Sequence, residues 1–325
     1  MRKVLLTTTA LVALGGVSAA SALDIGGFQR FTYSAWDDTG SNEGAGTNDS
    51  TMTNQTRLNF THQITSDSGL TGDMFFRIQD MAEAYEGLQI SGDFGAIAVG
   101  NYWTAGGFLY NSQVYNGTLA FNTGQTFTGV NTSAAAAIAD GGNMGINYTS
   151  PNIGGLTVMV TKTDAGTASD ADALEVGAQY ATTVGGTGIT TQVINANSND
   201  STGAAGDESD RTEYGASFRN GPFALHLTRE EQETKSTAGV VTAEIKTNEV
   251  SGFYQAADDL QIGVISVKSE DKISTNTPEL KMMVYGANYT IMPGMRLQAS
   301  YTDFDYQGAT DNKGSSTTVR LRMDF

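Results

Sequence analysis

Apolar and polar residues alternate along much of this 325-residue chain. In the stretch RLNFTHQI, every second residue from Leu58 to Ile64 belongs to one face, and the polar residues from Arg57 to Gln63 belong to the other. A period of two places successive side chains on opposite faces of an extended backbone. The final stretch, TTVRLRMDF, follows the same rule and ends on Phe325. Segments of about ten residues with this period recur along the chain and predict β-strands.

Short connections between these segments alternate with longer polar ones. The short connections contain turn sequences such as SDSG, GDFG, VGGTG and MPG, whose residues favour tight turns. Seven such hairpins, together with one segment near 26–35 and another near 316–325, predict sixteen strands. The longer connections are expected near 36–52, 79–84, 103–143, 164–172, 196–211, 231–242, 269–278 and 305–314. This pattern predicts an all-β fold, a sixteen-stranded antiparallel transmembrane β-barrel, whose last strand pairs with its first.

The first 22 residues have the composition of a signal peptide. Two basic residues precede an apolar stretch that runs to about Val17, and small residues follow at Ala20 and Ala22. A membrane helix needs roughly 20 apolar residues, which is more than this stretch provides. We therefore predict Sec-type export with cleavage near Ala22, which leaves residues 23–325 as one barrel domain.

Composition narrows the class of protein further. The chain has a formal net charge of −17, 16% charged residues, no cysteine, 39 glycines and four prolines. Without cysteine it forms no disulfide and no thiolate metal site, and a strongly acidic chain is a poor ligand for nucleic acid phosphates. A secreted soluble β protein is the alternative class. It would not need strands of uniform length or loops of unequal length at the two ends, so the barrel is favoured.

Two stretches resemble a known family. EAYEGLQISGDFGAIAVGNYW (83–103) resembles the strand–GDFG–strand signature of Gram-negative porins, and INYTSPNIGGLTVMV (146–160) resembles the hairpin that follows it. The resemblance is closest to porins of the alphaproteobacterial type, and it implies a trimeric outer-membrane channel whose third extracellular loop folds inward. Phe325 is similar to the signal that the barrel assembly machinery recognises. These porins often carry an arginine where this chain has Asn101, so their arginine ladder cannot be carried over whole.

Alternation also predicts which charges face the lumen. On the first strand Phe31 and Tyr33 belong to the apolar face, so Arg30 faces inward, and the same parity turns other arginines inward. We call the predicted group the arginine wall: Arg30, Arg57, Arg77, Arg296, Arg320 and Arg322. Across the barrel, three acidic residues are expected on inward positions: Glu175, Glu213 and Glu249. Opposed charges would align water in the pore and disfavour apolar solutes. The alternative is that these are scattered charges of a wet lumen.

The third loop, near 103–143, is predicted to form the constriction. It carries one charged residue among aromatic and amide residues, and its notable members are Trp103, Phe108, Tyr110, Tyr115 and Asp140. Two interpretations remain open. These side chains bind a neutral solute such as a sugar, or the aromatic rings pack the loop against the barrel wall.

The predicted function is passive diffusion of small hydrophilic solutes and ions. A substrate-tuned porin is the alternative, and an adhesin is disfavoured because adhesins usually have a smaller barrel or a large passenger. A barrel enzyme would depend on His226, because His62 falls on the lipid face and no GxSxG or HExxH motif occurs. The arginines favour anions at the narrowest point and acidic loops favour cations at the mouth, so selectivity is expected to become more cationic as salt falls.

No cofactor or defined metal site is expected. Acidic loop residues such as Asp37, Asp172 and Asp210 are expected to bind Ca²⁺ or Mg²⁺ only loosely, bridging to lipopolysaccharide. The expected partners are two further copies of the chain, outer-membrane lipid, lipopolysaccharide and the assembly machinery.

Overall fold

The structure is a computed structural model that describes residues 23–38, 50–101, 111–113, 119–120, 127–135, 144–164, 172–200, 207–236, 238–274, 276–309 and 311–325. The predicted signal peptide and the third-loop residues Trp103, Phe108, Tyr110, Tyr115 and Asp140 lie outside this part of the chain. Within it, no helix is long and apolar enough to cross a membrane.

The described residues form sixteen β-strands. They are β1 (Asp24–Asp38), β2 (Ser50–Thr65), β3 (Thr71–Gln79), β4 (Ala82–Gly92), β5 (Gly95–Gly100), β6 (Met144–Thr149), β7 (Leu156–Asp164), β8 (Asp172–Val184), β9 (Thr187–Asp200), β10 (Asp207–Asn220), β11 (Phe223–Lys235), β12 (Val241–Ala257), β13 (Leu260–Asp271), β14 (Glu279–Met292), β15 (Met295–Gln307) and β16 (Asn312–Asp324). Each strand pairs antiparallel with its neighbours in sequence, and β1 pairs with β16 to close the barrel. The predicted sixteen-stranded antiparallel barrel is confirmed.

The closure of the barrel joins Gly27 to Phe325. The Gly27 amide donates to the Phe325 carbonyl oxygen at 2.9 Å, and the Phe325 amide donates to the Gly27 carbonyl oxygen at 3.1 Å. A Cβ atom at position 27 would lie 2.0 Å from the carbonyl oxygen of Arg57, so this approach of β1 to β2 requires glycine. Closure pairs the first strand with the last, so the sheet has no edge strand, as a hydrocarbon environment demands.

The connections alternate in length as predicted, but several of the long ones are shorter than expected. The connection expected near 79–84 consists of Asp80 and Met81 alone, both with positive φ. The Asp80 carboxylate accepts the backbone N–H of Thr56 at 2.8 Å, which holds this tight reversal. Elsewhere the strands continue into the polar sequence, because strand ends that rise above the hydrocarbon no longer need apolar side chains.

The two faces of the barrel carry the side chains that alternation predicts. On β1, Thr32 and Ser34 face inward and are buried, whereas Phe31 and Tyr33 face outward and are exposed. On β16, the outward residues are Val319, Leu321, Met323 and, just beyond the strand, Phe325. The outer surface is therefore apolar over its middle band, which suits contact with lipid.

A charged belt lies on the outward face near the strand ends that meet the long connections. Its ion pairs include Lys162 with Asp172 at 3.4 Å, Lys246 with Glu244 at 3.1 Å and Lys281 with Glu279 at 2.5 Å. The belt comprises Lys162, Asp172, Arg229, Glu231, Glu233, Lys235, Glu244, Lys246, Lys268, Glu270, Glu279, Lys281, Asp305 and Lys313. Charges at this height mark the level where hydrocarbon gives way to polar headgroups.

The inner face is not polar throughout. Strands β12–β15 turn a cluster of large apolar side chains toward the lumen, where residues of the connection between β5 and β6 pack on them. The cluster contains Phe253, Ile265, Val267, Leu280, Met282, Val284, Phe304 and Tyr306 from the strands, and Leu119, Phe127 and Val130 from the connection. Burying each large apolar side chain contributes about 1.5–3 kcal/mol. This cluster is a seat for the third loop, and alternation alone did not predict it.

Candidate functional site

The arginine wall is organised around one buried phenyl ring. Phe28 of β1 faces inward and is only 3% exposed. The guanidinium carbon atoms of Arg322, Arg57 and Arg30 lie 3.9, 4.9 and 5.5 Å from the centre of its ring. A ring face attracts cations at these distances, so Phe28 gathers three arginines that otherwise repel one another. The sequence interpretation missed Phe28, although it shares the parity of Arg30 on the same strand.

Neutral side chains orient the neighbouring arginines. The Nε and Nη2 atoms of Arg57 donate to the Gln79 Oε1 atom at 3.1 and 2.7 Å. Arg320 donates from Nε to the Thr32 hydroxyl at 3.2 Å and from Nη1 to the Gln298 side-chain oxygen Oε1 at 3.4 Å. These bonds fix the direction of the guanidinium groups but leave their positive charge in place.

Arg77 is held by a mixture of polar and aromatic contacts. Its Nε atom donates to Asn59 Oδ1 at 2.8 Å, and its guanidinium carbon lies 5.0 Å from the ring of Phe75 and 4.9 Å from that of Tyr85. Phe75 is a second inward aromatic residue that alternation did not assign. The wall therefore continues from β16 through β1 to β4 as an alternation of rings and guanidinium groups.

One carboxylate partly neutralises the end of the arginine wall near the short turns. Asp324 accepts from Arg296 at 2.9 Å and from Arg322 at 2.5 Å. At the opposite end, Asp80 accepts from the Thr56 backbone N–H at 2.8 Å and from the Gln55 amide at 3.5 Å. Positive charge is therefore concentrated between these carboxylates, around Arg57, Arg320 and the lumen side of Arg30.

Asn101 lies where related porins often carry an arginine, and it does not join the arginine wall. Its side-chain oxygen accepts the backbone N–H of Glu86 at 2.7 Å, and its own N–H donates to the Glu86 carbonyl oxygen at 3.1 Å. Asn101 therefore extends the pairing of β4 with β5 by one residue.

The predicted glutamates face inward, and the structure places two of them, Glu213 and Glu249, against residues of the third loop. Glu175 and Glu213 have no exposed surface, and Glu249 is 1% exposed. Glu213 accepts the backbone N–H of Asn111 at 3.1 Å. The three carboxylates are thus inward but buried, so they do not line open lumen. Residues of the third loop lie against Glu213 and Glu249, which alternation along a strand cannot reveal.

Glu249 is the central anchor of the third loop. It accepts the Ser112 hydroxyl at 2.6 Å, the Gln113 backbone N–H at 2.5 Å and the Ala134 backbone N–H at 3.5 Å. Hydrogen bonds to a charged group contribute roughly 1.5–3 kcal/mol each. Glu249 thereby joins two separate parts of the loop to β12.

A fourth buried glutamate was missed by the sequence interpretation. Glu230 of β11 is 1% exposed, accepts from the Asn131 side-chain amide at 3.0 Å and lies 3.9 Å from Arg211 Nη1. It pairs across the sheet with Glu213. Its inward direction follows from the parity of β11, so the sequence carried the signal.

The loop residues near Phe127 pack on the apolar seat. The Phe127 ring lies 5.3 Å from that of Phe304 and 5.4 Å from that of Tyr306. The Tyr306 hydroxyl donates to the Thr128 carbonyl oxygen at 2.8 Å. This described aromatic residue packs the loop against the wall, in line with the second of the two interpretations.

His226 takes part in the same anchoring network. Its Nδ1 atom lies 2.9 Å from the Ser217 hydroxyl and 3.3 Å from the Gln113 amide nitrogen, and Ser217 also bonds to Asn111. His62 lies on an outward position of β2, as predicted. Among the residues that the structure describes, no group of three or more His, Asp or Glu side chains could hold a metal ion.

Comparisons with known proteins agree with this architecture. A family model of Gram-negative porins matches residues 7–320, and a search of curated proteins found no match. The anion-selective porin of Comamonas acidovorans is similar over 94% of this chain and 100% of its own, at 16% identity and a TM-score of 0.72. OmpT of Vibrio cholerae is similar over 95% of this chain and 99% of its own, at 12% identity and a TM-score of 0.69. A mutant of the Rh. blastica porin is similar over 93% of this chain and 100% of its own, at 16% identity and a TM-score of 0.63.

The match to the family extends over nearly the whole chain, and the closed barrel is the fold of its members. The protein lies in the outer membrane and forms a channel for passive diffusion. The resemblance found in the sequence is thereby confirmed: the chain belongs to the Gram-negative porin family.

Proposed function

We propose that this porin passes small hydrophilic solutes and ions, and that its arginine wall favours anions over cations. The observation that carries the proposal is the unequal exposure of the two charged groups. Arg57 and Arg320 are bonded to neutral side chains, whereas Glu213 and Glu249 are buried under the third loop. Within the described part of the chain no carboxylate pairs with Arg57 or Arg320, so an ion that passes beside them senses mainly the arginines.

The field outside the pore opposes this preference at a distance. The chain has a net charge of −17, and the ion-paired charged belt adds nothing to this excess because it contains as many basic as acidic residues. At 1 M salt the Debye length is about 3 Å and only nearby charges act on an ion, whereas at 0.1 M it is about 10 Å. Anion preference is therefore greatest at high salt and declines as the salt concentration falls. The similar Comamonas acidovorans porin is named as anion-selective.

Reversal potentials across planar bilayers test this proposal. Purified protein is inserted between KCl solutions of unequal concentration, first near 1 M and then near 0.1 M. We expect an anion preference near 1 M that weakens near 0.1 M. A cation preference at both concentrations would contradict the proposal, and equal values would show that distant charges do not contribute.

We do not propose a sugar-tuned pore, because the described third-loop ring, Phe127, is used for packing. Liposome swelling with solutes of equal mass distinguishes the two functions. A general pore admits them at equal rates, whereas a tuned pore prefers one.

We also propose no enzymatic activity and no cofactor for the protein. His226 bonds to Ser217 and lies near Gln113 as part of the loop anchor, and an unchanged hydrolytic background in a His226→Ala variant would agree with that role.

We propose that the barrel forms a homotrimer and contacts lipopolysaccharide through the charged belt. The similar Vibrio cholerae OmpT is described in a trimer form. The belt offers ammonium groups such as Lys281 and Lys313 for phosphates, and acidic loop residues such as Asp37 and Asp210 take up Ca²⁺ or Mg²⁺ loosely. Light scattering of the extracted protein measures the copy number. Calorimetry with Ca²⁺ alone would show heat of binding, and its absence would remove the proposed bridge.

We propose that the signal peptide is cleaved near Ala22 during export. The start of β1 at Asp24 supports this position, because residues 1–22, if they were retained, would extend from the strand at which the barrel closes. Intact mass measurement of the protein from outer membranes identifies the first residue directly. A mass that includes residues 1–22 would contradict the proposal.

A further inference from the structure

Glycine at one outward position opens a groove in the lipid-facing surface. Gly252 of β12 lies between Leu225 of β11 and Val264 of β13 in the strand register. Both neighbours project outward, so the missing side chain leaves a gap between them. The groove extends to Phe218 of β10 and has a volume of about 570 Å³. It lies within a few residues of the short turns at 221–222 and 258–259, on the periplasmic half of the barrel.

Polarity changes along the groove. At the end near the turns lie the polar residues Asn220 and Tyr254, and the ring of Tyr254 lies 4.9 Å from that of Phe223 in a tilted arrangement. Toward the middle of the barrel the lining is Leu225, Gly252 and Val264, and none of the described residues that line the groove is Asp, Glu, Lys or Arg. An occupant that matches this gradient is polar at the membrane surface and hydrocarbon farther in.

A second outward groove of nearly the same size has different chemistry. It lies on β2–β6, has a volume of about 580 Å³ and is lined by Met74, Phe76 and Leu88 together with Glu86. Glu86 projects outward from β4, opposite Phe76 of β3. A carboxylate among apolar side chains is a costly neighbour for a hydrocarbon chain. The two grooves therefore have nearly the same volume but differ in the polarity of their lining.

We propose that the Gly252 groove binds one acyl chain of a phospholipid of the periplasmic leaflet, with the lipid head group at Asn220 and Tyr254. A gap beside Gly252 that stayed empty would forfeit dispersion contacts along its whole lining. A flexible methylene chain restores them, and the rings of Phe223 and Tyr254 hold the glycerol region at the interface. The bound lipid exchanges more slowly than the lipids around the rest of the barrel.

Photo-crosslinking with a defined lipid tests the site. The protein is reconstituted in vesicles that contain phosphatidylethanolamine with a diazirine on its acyl chain, irradiated and digested, and labelled peptides are identified by mass spectrometry. We expect labelling to concentrate on β11–β13, with little at the Glu86 groove. A Gly252→Leu variant fills the gap and should lose labelling about tenfold. A Cβ atom there would meet only Val264, at 4.0 Å, so the variant is expected to fold.

An outward alanine provides the control. Ala178 of β8 faces lipid between Val158 and Val193, at a similar distance from its own turn. An Ala178→Leu variant adds the same side chain to the outer surface without touching the groove, so labelling of β11–β13 should not change.

Three results would overturn the proposal. The first is equal labelling of Gly252→Leu and the native protein, and the second is equal labelling of the two grooves in the native protein, which needs no variant. The third concerns a second copy of the chain. The native sequence has no cysteine, so a Gly252→Cys variant carries a single thiol. Efficient crosslinking of two copies through it by a short thiol reagent would assign the groove to a subunit contact.

Discussion

The six arginines of the arginine wall differ in how their charge is balanced. Arg296 and Arg322 share Asp324, and their combined charge at that end is partly neutralised. Arg57 is bonded to Gln79 and Arg320 to Thr32 and Gln298, all of which are neutral. A solute anion in the pore therefore finds its strongest attraction beside the second group, in the middle of the wall.

Replacing one unbalanced arginine should weaken anion preference. In an Arg57→Gln variant the anion-to-cation permeability ratio at 1 M KCl is expected to fall up to about fivefold, because an ion about 4 Å from a unit charge in water gains roughly 1 kcal/mol. Reversal potentials measure the ratio. Arg229→Gln is the control, since Arg229 projects outward and pairs with Glu231. An unchanged ratio in Arg57→Gln would remove the arginine from the permeation path.

Releasing the paired arginines should have the opposite effect. An Asp324→Asn variant removes the carboxylate that Arg296 and Arg322 share, so two guanidinium groups gain effective charge and the permeability ratio should rise. The same bilayer measurement applies. A fall in the ratio would mean that these arginines lie away from the path of the ions. The signs expected for the two variants differ, which separates a charge effect from a general disturbance of the pore.

Parity on a strand predicted the direction of every residue in the arginine wall but not its surroundings. Arg30 and Arg320 face inward because Phe31 and Leu321 face lipid. Phe28 and Phe75 escaped prediction because an aromatic residue in a lumen contradicts the simple rule that apolar side chains face outward. Phe28 is covered in part by Arg57 and Arg322 from the two neighbouring strands, whose register becomes visible only in three dimensions, whereas Phe75 lies beside Arg77 of its own strand.

The third loop is fixed to the barrel by buried carboxylates on one side and by an apolar seat on the other. Glu213, Glu230 and Glu249 accept from loop residues 111–113, 131 and 134. Phe127 and Val130 rest on the apolar seat. This arrangement holds the loop by interactions with several strands at once, so no single strand determines its position.

Removing one carboxylate should loosen the loop without unfolding the barrel. In a Glu249→Ala variant the Ser112 hydroxyl and the Gln113 N–H lose their acceptor, which costs roughly 1.5–3 kcal/mol for each bond. We expect larger and noisier single-channel conductance, while the mobility of the unheated protein in gel electrophoresis remains that of a folded barrel. Glu231→Ala is the control, because Glu231 lies outside the lumen and pairs with Arg229. Traces identical to those of the native protein would show that Glu249 is not needed to hold the loop.

The sequence predicted the strands and turns, whereas the apolar seat of the third loop was not predicted. The stretches 262–267 and 280–285 are IGVISV and LKMMVY, in which apolar residues occupy both parities. Such a stretch is typical of a strand that is buried on both faces. That signal could have located the seat, but the partner that covers it lies far away in the sequence, and only long-range packing identifies it.

Phe325 contributes little to the folded barrel itself, although its position closes the ring. Its side chain points outward and is 57% exposed, and its hydrogen bonds to Gly27 use backbone atoms alone. A Phe325→Ala variant should therefore refold in detergent like the native chain. Its assembly in living outer membranes should fall several-fold if the side chain serves as the assembly signal. Met323→Ala, also outward and exposed, should assemble normally. Equal assembly of both variants would remove the signal from Phe325.

Because β1 pairs with β16, the hydrogen-bonded sheet is continuous around the cylinder, and the two chain ends lie near each other without a covalent bond between them. Chain ends that lie side by side can often be joined and the chain opened elsewhere without changing the fold. Bridging residue 325 to residue 23 with a short linker and cutting within 308–311 should give a circularly permuted porin that refolds in detergent to the same barrel. The position of the N-terminus would then matter for export and assembly but not for the stability of the folded barrel.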